Sequence, residues 1–84
     1  MYNVYVLKSK KDGNLYIGCT SDLKKRLSLH NKGKVFSTKN RLPLALIHSE
    51  TYEDKYEAYK LERFYKTAKG KRILKKRISD SGIV

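Results

Sequence analysis

The sequence predicts a single α+β domain, a small three-stranded, mainly antiparallel sheet flanked by helices in the order β-β-α-β-α-α. Three observations lead there. Two β-branched and aromatic runs bracket an Asp-Gly pair, two later segments carry apolar residues at helical spacing, and 84 residues leave room for one thin core. Apolar residues make up 39% of the chain, enough to fold and well above a disordered composition.

The first strand is expected over 4–7 (Val-Tyr-Val-Leu) and the second over 15–19 (Leu-Tyr-Ile-Gly-Cys), joined through Asp12-Gly13, a strong hairpin signal. A two-residue turn would leave Tyr5 and Tyr16 four positions apart along the ladder. A longer loop, slipping the pairing by four, would set them directly opposite. Either register puts both tyrosines on one face, because side chains alternate with period two. Thr20-Ser21-Asp22 then supplies an N-cap for a helix carrying Leu23, Leu27 and His30, and Asn31-Lys32-Gly33 a stop. Residues 34–43 read as a polar, basic loop, and 44–50 as the third strand. Thr51-Tyr52-Glu53-Asp54 resembles a capping box opening a helix to about Ala68, with Ala58, Leu61, Phe64, Tyr65 and Ala68 as its apolar stripe. Gly70 is expected to break it, a shorter helix to cover 71–78, and the tail 79–84 to fray. The core of the domain then spans about 2–78.

Charge narrows the function. Twenty Lys and Arg against eight Asp and Glu give a net +12, a surface that attracts polyanions, with nucleic acid the first partner to consider. One cysteine, Cys19, allows no intramolecular disulfide, and with two histidines there is no zinc-finger spacing. No apolar run approaches the roughly 18 residues of a membrane span, and the first residues lack signal-peptide features. A monomeric, cytoplasmic protein with no membrane partner is the expectation. Lys24, Lys25, Lys39 and Arg41 form one basic group and Arg72, Lys75 and Lys76 belong to another, with Phe36 interleaved. Binding to phosphate backbones through six to ten contacts would lose about 10³- to 10⁵-fold in affinity between 50 and 200 mM salt.

Asn3-Val4-Tyr5 and Tyr16-Ile17-Gly18 resemble the two signature tripeptides of the GIY-YIG nuclease superfamily, the second literally, the first in its tyrosine with Val4 standing for Ile. Arg26, eight residues after Gly18, matches the family's helix arginine. His30 falls where many members carry a histidine or tyrosine, and Glu62 where the family places its metal-binding glutamate. The likeness runs from about residue 2 to 78 and is closest to small stand-alone bacterial members of the excinuclease-C-like, or URI-domain, type. It implies a metal-dependent endonuclease that hydrolyses DNA phosphodiester bonds, with one Mg²⁺ or Mn²⁺ at Glu62. Arg26 would bind the phosphate, Tyr5 or Tyr16 would help activate water, and His30 would complete the site. A tyrosine acting as base near neutral pH needs its pKa lowered by roughly three units, about 4 kcal/mol.

Helical periodicity alone places Glu57 nearer the centre of the apolar stripe than Glu62; the resemblance selects Glu62. Asn3 stands where the family has its first glycine, Cys19 where some repair-nuclease relatives have a lysine, and 74–77 offers no counterpart of a downstream asparagine. Those departures favour a second reading, a nucleic-acid-binding module that keeps the fold and basic face with little or no hydrolysis. Binding to RNA is a further option, and His48 is expected to be structural, without companions.

Overall fold

The structure, a computed structural model, describes residues 1–80. Strands β1 (Tyr2–Ser9), β2 (Leu15–Thr20) and β3 (Leu44–Tyr52) and helices α1 (Leu23–Asn31), α2 (Lys55–Tyr65) and α3 (Ala68–Asp80) follow the expected order. The sheet is wholly antiparallel in the order β2-β1-β3, so β1, the most apolar strand, is central. Its residues 4–7 are all buried, because helices cover both faces.

Val4, Val6 and Ile17 pack against Ala58, Tyr65, Leu74 and Ile78 from α2 and α3. The alternate residues Tyr5 and Leu7 face the other way, with Leu44, toward Leu23 and Leu27 of α1. This is the period-two alternation of a strand buried on both sides. A bulge in β3 re-aims that alternation: Val6 pairs with His48 and Leu7 with Leu46, leaving Ile47 unpaired. Leu44 and Leu46 therefore share the α1 face, whereas His48, Glu50 and Tyr52 share the α2/α3 face.

The hairpin takes neither anticipated register. Tyr5 pairs with Gly18 and Leu7 with Tyr16, which sets the tyrosines on one diagonal, on the same face as predicted. Ser9 dictates this. Its N–H bonds the Asn14 carbonyl at 3.0 Å, its Oγ accepts from Lys11 and Asp12 N–H at 3.2 Å each, and Oγ donates to the Arg41 carbonyl at 2.7 Å. Asp12 Oδ1 accepts from Asn14 N–H at 2.8 Å, so a four-residue loop replaces the two-residue turn.

Asp22 caps α1 through Lys25 N–H at 3.1 Å, as the sequence predicts. The second cap differs. Thr51 pairs with Asn3 in the sheet, its Oγ1 donating to Asn3 Oδ1 at 3.0 Å, and Asp54 caps α2 through Tyr56 N–H at 2.9 Å. Pairing of β3 with the full length of β1 claims Thr51 and Tyr52 for the strand. The helix break also moves, from Gly70 to Lys66-Thr67. Thr67 Oγ1 donates to the Phe64 carbonyl at 2.7 Å and accepts from Gly70 N–H at 3.0 Å, capping α3. Gly70 lies inside α3, where a Cβ would collide with the Phe64 carbonyl; its role is close approach. Of the tail expected to fray, Ser79 and Asp80 continue α3, and 81–84 lie outside the described residues.

One polar cluster ties β3 to both covering helices. The Glu50 carboxylate accepts from Tyr52 Oη, Tyr65 Oη at 2.6 Å, His48 Nε2 at 2.8 Å and Arg77 Nη1 at 3.0 Å, and Arg77 also donates to Tyr65 Oη. His48 thus has companions, which its isolation in sequence concealed. Burial pushes the Glu50 carboxyl up, but the bonds from Tyr52, Tyr65 and His48 and the Arg77 charge outweigh it and hold the group below its ordinary value. Tyr52 is pushed up to about 12 by burial and by Glu50, so it stays a donor.

Tyr65→Phe removes a hydrogen bond to a charged group and should cost about 1.5–3 kcal/mol in urea unfolding. Because Glu50 is more acidic folded than unfolded, its contribution is complete above the unfolded value of about 4.3 and is lost as pH falls through the folded one. Melting temperature should therefore fall more steeply on acidification below about pH 4.3 in the wild type than in Glu50→Gln.

Candidate active site

The site forms where β1, the edge strand β2 and α1 meet. Tyr5 stands directly across from Gly18, and its hydroxyl end occupies the space a Cβ on Gly18 would take. The glycine of Tyr16-Ile17-Gly18 is thus required by ring packing, not by a turn. Tyr5 is 1% exposed and His30, on the inner face of α1, is 0% exposed, so both lie within the fold, whereas Arg26 and Tyr16 are half-buried.

Tyr5 Oη lies 3.0 Å from His30 Nε2 and receives Arg26 Nε–H at 3.4 Å. His30 Nδ1 lies 2.8 Å from Thr38 Oγ1, which is fully buried. The Tyr5, Tyr16 and His30 rings form a compact triangle, with centroids 6.3 Å (Tyr5–Tyr16), 5.8 Å (Tyr5–His30) and 5.1 Å (Tyr16–His30) apart. Four of the five predicted residues, Tyr5, Tyr16, Arg26 and His30, converge on one cluster.

Glu62 approaches from the other side of the sheet. Its side chain is 16% exposed, and Oε1 accepts from Lys66 Nζ at 2.7 Å. Its charge raises the pKa of both Tyr5 and Cys19. Glu57, the candidate favoured by periodicity, is exposed. Among the described residues no three metal-ligating side chains cluster. Glu62 nevertheless suits a hard divalent cation that keeps several waters and takes one carboxylate plus substrate phosphate. Its present partner, Lys66, is half-exposed.

Electrostatics fixes the state of Tyr5. Burial raises the Tyr5 pKa, and the hydrogen bond from Arg26 only partly offsets this, so Tyr5 stays protonated at neutral pH. The lowered pKa required of a tyrosine base is absent at Tyr5. His30 is pushed below its ordinary value by burial and by the Arg26 charge, so it is neutral there. Cys19 is raised by burial and by Glu62: a protonated thiol occupies the position where some relatives carry a lysine.

The basic residues divide. Lys24, Lys25 and Lys39 are exposed on α1 and the loop after it, on the face of the cluster. Lys39 Nζ stands 4.8 Å from the ring centroid of Phe36, which is 84% exposed. Arg41 also ties the fold together: its Nε pairs with Asp12 at 3.2 Å and Nη2 reaches the Leu15 carbonyl at 3.5 Å. Arg72, Lys75 and Lys76 lie exposed on α3, across the sheet. Beside them Leu15, Ile17, Ile47 and Leu74 floor a groove of about 510 Å³ rimmed by Lys8, Lys71 and Lys75. Thr38 was missed in the sequence because a threonine in a basic loop carries no spacing signal.

The description "GIY-YIG catalytic domain" matches residues 1–77, nearly the whole chain. The chain belongs to the GIY-YIG family, a nuclease superfamily. It is 45% identical over 64 residues to the UPF0213 protein SAG0778 of Streptococcus agalactiae, covering 75% of this chain and 72% of that protein. To the UPF0213 protein spr1390 of Streptococcus pneumoniae it is 42% identical over 67 residues, covering 79% and 67%. The solution NMR structure of the UPF0213 protein BH0048 from Bacillus halodurans superposes with a TM-score of 0.55 at 33% identity, over 88% of this chain and 82% of that one. No helix among the described residues is long and apolar enough to cross a membrane.

Gly18→Ala should displace the Tyr5 ring and cost about 1–3 kcal/mol in unfolding free energy. Loss of the Tyr5–His30 ring contacts in NMR spectra would accompany it; unchanged contacts would refute the packing account.

Proposed function

We propose that this protein is a metal-dependent endonuclease that hydrolyses DNA phosphodiester bonds. The convergence of Arg26, Tyr16, Tyr5 and His30 on one cluster beside Glu62 carries this reading. Hydrolysis needs charge stabilisation on the phosphoryl oxygens, an activated water and help for the leaving oxygen. A single Mg²⁺ or Mn²⁺ bound at Glu62 would supply Lewis-acid stabilisation of that charge.

The chain's own residues divide the remaining work. Tyr5 receives Arg26 Nε–H and so orients the guanidinium, whose remaining N–H groups are directed at the phosphate. Buried and neutral, Tyr5 positions; Tyr16, half-buried on the same diagonal, is the hydroxyl that meets the attacking water. Lys24, Lys25 and Lys39 hold flanking phosphates, and exposed Phe36 offers a face on which an unpaired base stacks. The α3 lysines, across the sheet, contribute long-range attraction.

The test is nicking of supercoiled plasmid with Mg²⁺ or Mn²⁺, with an EDTA control. Glu62→Gln should lower cleavage by at least about 10²-fold while leaving DNA affinity near normal; Glu57→Gln should cleave like the wild type. Arg26→Ala should weaken binding and cleavage together. Lys25→Ala should lower affinity for all sequences and the salt slope by about one, whereas Lys75→Ala, across the sheet, should lower affinity only slightly. An inactive wild type that still binds DNA in a salt-dependent way would establish the binding-module reading instead.

A further inference from the structure

Thr38 lies in the loop between α1 and β3, far in sequence from either signature tripeptide, yet it is fully buried and its hydroxyl belongs to the cluster. Three bonds join it to the surface: His30 Nδ1 to Thr38 Oγ1 at 2.8 Å, His30 Nε2 to Tyr5 Oη at 3.0 Å, and Arg26 Nε to Tyr5 Oη at 3.4 Å. We propose that Thr38 is a positioning residue that fixes His30 as the Nδ1–H tautomer and, through His30 and Tyr5, sets the orientation of Arg26. The part concerning Arg26 rests on the nuclease reading above; the tautomer does not.

Proton counting gives the direction. Tyr5 has one O–H, and its oxygen already receives Arg26 Nε–H. If His30 Nε2 also carried a proton, two donors would converge on Tyr5 Oη and the phenol O–H would go unused; in the reverse arrangement the unused proton is that of Thr38, an aliphatic hydroxyl and the weaker donor. With the Tyr5 O–H donating to Nε2, the neutral ring carries its proton on Nδ1, and Thr38 Oγ1 accepts it. Neutrality follows from burial and the nearby Arg26 charge. Each donor then points inward from the guanidinium, so the dipoles align with its charge and reinforce one another. Which ring nitrogen holds the proton is set by the bonds at both: the Tyr5 O–H occupies Nε2, and Thr38 Oγ1 receives the proton left on Nδ1.

Thr38 is held independently of its side chain. Its N–H bonds the Val35 carbonyl at 3.1 Å, and its carbonyl accepts from Arg41 N–H at 2.9 Å. Val35 is itself buried, and Ser9 pins the far end of the loop at the Arg41 carbonyl. Thr38→Val preserves shape and deletes the acceptor; Thr38→Ser keeps the hydroxyl.

Long-range ¹H–¹⁵N spectra of the full chain, with His30 distinguished from His48 by a His48→Gln variant, report the tautomer directly. We expect Nδ1–H in the wild type and Thr38→Ser, and a shift toward Nε2–H in Thr38→Val. Plasmid nicking should fall about tenfold or more in Thr38→Val, a fraction of what a positioned proton-transfer or orienting group contributes, and return in Thr38→Ser. An Nε2–H wild type overturns the tautomer assignment, and an Nδ1–H ring that survives unchanged in Thr38→Val overturns the claim that Thr38 fixes it. The expected tautomers with unimpaired cleavage by Thr38→Val overturn the positioning role. Those same tautomers in a protein that does not cleave DNA at all support the assignment and defeat the nuclease reading alone.

Discussion

The close approach of Tyr5 to Gly18 is the constraint on which the rest of the site depends. Tyr5 belongs to the central strand, so its position is fixed by pairing on both sides. A side chain at position 18 would push the ring away from the edge strand and break its alignment with His30 and Arg26. The backbone of two strands thereby does the positioning that a loop would do less accurately. Helix α1 then needs only to deliver two side chains, four residues apart on one ridge, to a hydroxyl that is already in place.

The two faces of the sheet solve different problems. On the α2/α3 side, Glu50 gathers four donors in a half-buried position, and its charge is balanced locally by Arg77. On the α1 side the buried Tyr5 and His30 are neutral at pH 7, and the charges that act on them are Arg26, on both, and Glu62, on Tyr5. One face is stapled by an ion pair set among tyrosines; the other keeps a buried, neutral tyrosine and histidine beside Arg26. A strongly basic chain of this size repels itself, and the Glu50 cluster offsets that by enlisting Arg77 from the last helix.

Much of this was legible in the sequence. Element order, the shared face of Tyr5 and Tyr16, the Asp22 cap and the convergence of Arg26 and His30 followed from periodicity, capping chemistry and the family likeness. What escaped had a common cause: a local signal overridden by a distant partner. Asp12-Gly13 signals a two-residue turn, but Ser9 bonds Arg41 across the fold and lengthens the loop. Thr51 looks like a cap until β1 claims it as a strand residue, and Gly70 looks like a breaker until Phe64 shows why a side chain cannot fit. Glu50 and Thr38 had no local signal at all, since their partners come from other elements.

The unpaired Ile47 divides one strand into two independent surfaces. Upstream of it, even-numbered residues belong to the face that carries Tyr5; downstream, even-numbered residues belong to the face that carries Glu50. Drift in the first half of the strand therefore retunes the reactive side without disturbing the clasp, and drift in the second half does the reverse. A gain or loss of one residue at this point would erase that independence. It would turn one half over onto the other's side: with the first half held, the Glu50 carboxylate would turn toward His30, and with the second half held, Leu44 and Leu46 would turn toward the Glu50 cluster.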